Sequence, residues 1–145
     1  RLEWLLEKAT ELGATRFNFV GTRRTDVRLA ATVEGRLLRW RKIVQAAAEQ
    51  SRRADAPELG ATVVPLAAFL AQPPPGRRLL LSELAGGEAL APAGEETLLL
   101  AGPEGGFAAE EFSAIAAAGF TAVSLGSRIL RCETAVLAAL ARLGA

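Results

Sequence analysis

The chain has 145 residues, a formal net charge of +1, half of its residues hydrophobic, one cysteine and no histidine. That length suits one domain with a proper core; a lone cysteine excludes an intrachain disulfide, and without histidine no metal cluster is expected. No apolar run of about 18 residues and no charged-then-apolar leader occurs, so neither membrane association nor secretion is expected, and a reducing cytoplasm fits.

The small net charge hides an asymmetry. Residues 1–53 hold 12 Lys and Arg against 6 Asp and Glu, a balance of +6, whereas residues 54–145 hold 5 against 10, a balance of −5. A basic half on an otherwise acidic domain is either the footprint of a polyanion partner or a solvated arginine-rich surface. There is no methionine, and helical pattern begins at once, so the chain is expected to be a piece of something longer.

Residues 2–12 put Leu2, Leu5, Leu6, Ala9 and Leu12 at helical spacing, with Gly13 placed to cap the end. A strand over 16–20 leads into a loop, 21–28, whose Arg23, Arg24 and Arg28 would reach phosphates. Residues 32–50 read as a second helix, with Trp40 in a core or interface rather than in a base-stacking platform. A short strand over 61–64, a brief helix over 65–71 opened by Pro65, and a stiff proline connector over 72–76 follow. Residues 77–82 (RRLLLS) read as a buried strand with Glu83 at its carboxyl end, and 86–94 as a loop of small residues.

The last third alternates more sharply: a strand over 97–101, a glycine-rich turn over 102–106, a helix, a strand over 121–125, a turn over 126–128 and a final helix. Strands alternating with helices predict an α/β fold with a largely parallel sheet. Two small-residue turns at strand ends are where such folds place a ligand, because the sheet fixes the backbone while the turn's polar groups face outward.

The first turn, GPEGG, matches neither a dinucleotide fingerprint nor a P-loop, and Glu104 disfavours phosphate. Pro103 fixes φ, and Gly105 and Gly106 are free to take positive φ, which shapes a contour that a ligand can approach closely. The second turn, LGSRILRCETA, enters a helix whose remainder (135–143) is almost wholly apolar and is expected to be buried. Charges there are costly unless paired or used, so Arg128, Arg131 and Glu133 are either functional or an ion pair that positions the helix.

Together GPEGGF and LGSRILRCETA resemble the two signature loops of the SPOUT superfamily of RNA methyltransferases, and most closely the RsmE family. KATELGAT (8–15), RRT (23–25) and AAEQSRRADAPEL (47–59) extend the resemblance over essentially the whole chain. Cys132 departs from the small residue or threonine the family pattern has there. The resemblance implies a mostly parallel sheet flanked by helices, a carboxyl-terminal trefoil knot that pattern reasoning would not predict, and a homodimer. It also implies a preceding PUA-like RNA-binding barrel, to which nothing in this chain corresponds.

The implied activity is methylation of uridine N3 in small-subunit (16S) ribosomal RNA, near the decoding centre, with S-adenosylmethionine as donor. Leu81, Ser82, Glu83, Gly102, Pro103 and Glu104 would hold the cofactor. So would Gly105, Leu125, Gly126, Ile129, Leu130 and Thr134. Arg23, Arg24, Arg52 and Arg53 would bind RNA, with residues 49–52 in a loop close to the active site.

A sulfonium methyl leaves by direct displacement, so no enzyme nucleophile and no metal is required; the protein's task is alignment. Glu133 or Glu83 would take the N3 proton, and Arg131 or Arg24 would stabilise charge on the base carbonyls; both choices stay open. The catalytic assignments are Arg131, Glu133 and Arg24. The alternatives are another SPOUT RNA methyltransferase acting on transfer-RNA ribose or guanine, or a non-catalytic RNA-binding or dimerisation module.

Overall fold

Apolar β-branched and leucine runs form the strands, and helices with one apolar face cover them. The computed structural model describes residues 1–83, 88–92 and 94–144. In order these are α1 (Leu2–Glu11), β1 (Arg16–Gly21), α2 (Leu29–Gln50), β2 (Glu58–Pro65), α3 (Leu66–Ala71) and β3 (Arg77–Leu81). Then come β4 (Glu88–Ala89), β5 (Thr97–Leu100), α4 (Ala109–Ala117), β6 (Thr121–Ser124) and α5 (Cys132–Leu143).

The parallel, helix-flanked arrangement agrees with the sequence reading, but the ladder lies in two pieces. β1 and β2 pair with each other, while β4, β6, β3 and β5 form a second sheet in that order, all neighbours parallel. The β1–β2 pair has its own core, in which Leu6, Phe19, Val33, Trp40 and Val44 pack together and Phe19 lies 5.4 Å from Trp40, ring to ring. A second cluster (Leu66, Phe69, Leu80, Leu100, Phe107, Ile115, Phe120), with Val20 and Val64 against it, joins the two sheets through side chains.

Local boundaries follow from backbone bonds. α1 ends in a Schellman motif: Gly13 takes φ +97°, its N–H bonds to Thr10 O, and the Ala14 N–H bonds to Ala9 O. α2 begins three residues before the expected start, and β2 is longer than the expected 61–64, because Glu58 already pairs with Arg16. Within the stretch read as a loop, Glu88 and Ala89 pair with Val123 and Ser124; residues 86, 87 and 93 lie outside the described ones.

α5 corrects an expectation. Only Ala139 is buried, against Leu79, Leu90 and Val123, while Val136, Leu137 and Leu140 remain partly exposed. No helix among the described residues is long and apolar enough to cross a membrane.

Candidate active site

β3 is the central strand, with β5 on one side and β6 on the other. Leu80 is level with Leu100, and Leu81 with Val123. Gly102 therefore emerges beside Ser82 on one flank, and Leu125 beside Glu83 on the other. Strands two apart in a sheet are roughly 10 Å apart, so the two turns frame a gap about as wide as a purine.

That gap is a cavity of about 780 Å³, within the range of small-molecule sites. Its walls include Leu81, Ser82, Glu83, Gly102, Pro103, Glu104 and Gly105, and across from them Leu125, Gly126, Ile129 and Leu130. Arg24 and Arg131 also reach it, as do Arg1, Phe107, Phe112, Arg128 and Cys132. Of the expected cofactor residues, Thr134 alone stands off the wall, exposed on α5.

The GPEGG turn is closed by the Gly106 N–H bonding to Pro103 O at 2.8 Å. Gly106 takes φ +72°, but Gly105 does not take positive φ. Gly105 is instead closely approached: a Cβ there would lie 3.2 Å from Arg24 Cβ, a tight contact, and Arg24 Nη1 donates to Gly105 O at 2.8 Å. The close approach at Gly105 is thus made by an arginine. Across the gap Gly126 takes φ +121°; its N–H donates to Ser124 Oγ, and that hydroxyl donates to Gly126 O. The Ser82 N–H continues the ladder by donating to Val123 O at 3.2 Å.

The charged residues divide by task. Arg128 and Arg131 are exposed at the rim, so the expected desolvation penalty does not arise. Glu133 does not line the cavity; it is largely buried and faces Arg1 Nε at 3.8 Å, while Arg1 Nη1 donates to Glu104 at 2.9 Å. Burial pushes the Cys132 thiol above its ordinary pKa, with Glu133 and Glu104 adding to the shift.

The other expected RNA contacts lie elsewhere. Arg23 pairs with Glu110 through its guanidinium. Arg53 Nη1 donates to the carbonyls of Thr10 and Ala14, both at 2.7 Å, and so caps α1. Arg52 is exposed in the turn after α2 with φ +59°. Neither Arg52, Arg53 nor residues 49–51 line the cavity; Arg53 binds the carboxyl end of α1, whereas its amino end, Arg1, is at the site.

Sequence reasoning missed Arg1, Phe107, Phe112 and Glu111. Two had a local signal: Phe107 as the last residue of GPEGGF, and Glu111 as an acidic residue in the first turn of the helix that follows. Among the described residues no group of three or more His, Cys, Asp or Glu could hold a metal.

A parallel α/β sheet with a glycine-lined cavity at its carboxyl edge defines a domain that holds a small organic ligand in its loops. The family model described as RNA methyltransferase domain matches residues 1–144, and the chain belongs to that family. The RsmE resemblance read from the two loops holds. Proteins named Ribosomal RNA small subunit methyltransferase E are 38% identical to it in Synechocystis (99% of this chain, 48% of that protein) and 36% in Mycobacterium bovis (99% and 58%).

Among solved structures, a Legionella pneumophila methyltransferase in complex with bound SAM superposes with TM-score 0.85 and 32% identity, over 98% of this chain and 60% of that one. The Neisseria gonorrhoeae Ribosomal RNA small subunit methyltransferase E bound to S-adenosyl methionine gives 0.81 and 36%, over 97% and 58%. The chain spans about half to three fifths of the length of these proteins.

Proposed function

We propose that the chain is the methyl-transferring part of an S-adenosylmethionine-dependent enzyme that acts on N3 of a uridine in 16S ribosomal RNA, in the cytoplasm and as a homodimer. The observation that carries this reading is the cavity between the two turns. Its apolar walls (Leu81, Val123, Leu125) and close-set backbone suit a flat, neutral adenosine better than a phosphate. The likeness to proteins named Ribosomal RNA small subunit methyltransferase E, one of them solved bound to S-adenosyl methionine, and to a Legionella methyltransferase solved with SAM supports it.

When bound, S-adenosylmethionine supplies a methyl group on a positively charged sulfur, transferred in one displacement. The chain's part is to align the uridine and manage its proton. Arg24, pinned at Gly105, and Arg131 at the opposite rim are the cations that would stabilise charge growing on the base carbonyls as the N3–H bond breaks. Glu83 is the better acceptor for that proton: it lines the cavity, whereas Glu104 is paired with Arg1 and Glu133 stands off the wall. The partly exposed apolar face of α5 supports a dimer.

The test is transfer of radiolabelled methyl to unmodified small-subunit RNA, followed by nucleoside analysis. The reading expects 3-methyluridine. Ribose or guanine methylation of transfer RNA would favour the related enzymes, and RNA binding without transfer would favour a silent module.

A further inference from the structure

Glu111, in the first turn of α4, is 9% exposed, and both its carboxylate oxygens are used. One accepts the Ala108 N–H at 2.8 Å, the usual reach of a third-position glutamate back to the start of its helix. The other accepts the Arg23 N–H, also at 2.8 Å, from a loop 88 residues away. That second bond is not needed to cap the helix.

The loop it holds is a stiff turn: Thr25 Oγ1 accepts the Thr22 N–H at 2.9 Å, and the Thr25 N–H bonds back to Thr22 O. The residue after the anchored Arg23 is Arg24, whose guanidinium crosses to Gly105 O on the cavity rim. The arginine loop is therefore held both by the glycine turn and by the first turn of α4: Arg24 donates to Gly105 O, the Arg23 N–H to Glu111, and the Arg23 guanidinium pairs with Glu110. A buried carboxylate that accepts two backbone donors makes a rigid fixture, because losing it strands both donors.

We propose that Glu111 is a positioning residue that sets the place of Arg24 at the cavity, and so governs the transfer step without touching substrate. This rests on the methyltransferase reading above. Glu111→Gln keeps the reach and loses the charge and one acceptor; Glu111→Asp keeps the charge and shortens the reach. Both should release the Arg23 amide.

The experiment compares wild type, both Glu111 variants, Arg24→Ala and the double variant Glu111→Gln with Arg24→Ala. Methyl transfer is measured at saturating and limiting RNA, S-adenosylmethionine affinity by calorimetry, and trypsin cleavage after Arg23 and Arg24 where those arginines remain. Expected are a kcat lowered by about tenfold or more, donor affinity within about threefold, and no further loss in the double variant beyond Arg24→Ala. Well below the melting temperature of each variant, cleavage of the released loop should be faster by about tenfold or more, beyond what the stability lost with the two stranded donors accounts for. Wild-type kcat in both Glu111 variants, losses that multiply with Arg24→Ala, donor affinity falling in parallel with rate, or a loop as resistant as wild type would each overturn the proposal. If wild type itself transfers no methyl to uridine, the functional reading falls, while proteolysis still decides the clamp.

Discussion

The side of Gly102 that faces the core is occupied by the ring of Phe107: a Cβ on Gly102 would lie 2.8 Å from Phe107 Cε2 and 3.1 Å from Cδ2. Phe107 is itself buried in the cluster that joins the two sheets, with an edge-on contact to Phe112 at 5.5 Å. The ring cannot yield without moving the turn that walls the cavity. Gly102→Ala is expected to weaken S-adenosylmethionine binding by about tenfold or more, with destabilisation of about 1–3 kcal/mol. Calorimetry and thermal melting on the same preparation check it; unchanged affinity would detach this turn from the cofactor.

Arg52 and Arg53 stand side by side and should respond in opposite directions. Arg52 holds the left-handed position that ends α2, with the Arg53 N–H bonding to Ala48 O. Arg52→Gly should stabilise by roughly 0.5–1 kcal/mol, because glycine relieves that backbone strain. Arg53→Met should destabilise by about 1–3 kcal/mol, since two carbonyls at the end of α1 lose a charged donor. If Arg53 acts only in this way, the salt dependence of RNA binding will be unaltered in the variant; a slope reduced by about one unit would return it to the RNA contacts.

Gly76 enters β3 at φ +117°, and a Cβ there would meet Glu96 O at 2.5 Å. That oxygen belongs to the backbone and is held by the Arg77 N–H, which bonds to it. Gly76→Ala should destabilise the chain by about 2 kcal/mol or more. Chemical denaturation measures this; a shift under about 0.5 kcal/mol would contradict the contact.

Glu3 straps α1 to α2 through Arg39, whose Nε and Nη2 donate to its two oxygens at 2.8 and 3.1 Å. The Arg39 guanidinium holds the Glu3 carboxyl below the usual glutamate range, although partial desolvation opposes it. A lowered folded-state value contributes stability that is present above the ordinary range and lost as pH falls through the folded one. The melting temperature of wild type should therefore fall more steeply than that of Glu3→Gln between about pH 6 and about pH 3. Parallel curves would contradict the strap.

Arg131→Ala is expected to abolish methyl transfer and leave donor affinity nearly intact, because Arg131 stands at the rim among exposed groups. Retained turnover in a radiolabelled methyl assay would remove it from the mechanism.

The two turns were legible because glycines and prolines at strand ends carry their meaning locally, and the parallel register then brings Gly102, Ser82 and Leu125 to one edge. What sequence could not reveal was set by distant partners. The close approach at Gly105 comes from Arg24, the task of Arg53 from carbonyls 39 and 43 residues earlier, and the pairing of Glu104 and Glu133 from Arg1. The apolar run of α5 resembles a core helix, yet much of that face is not covered within the chain. Periodicity reports that a face is apolar and is silent about whether its own sheet or a second copy covers it.

The most direct test of the account is calorimetric titration of the protein with S-adenosylmethionine, repeated on Gly102→Ala. Wild type should show one saturable site per chain, and the variant an affinity at least about tenfold weaker. No measurable binding to wild type, or equal binding to both proteins, would contradict a cofactor held between the two turns.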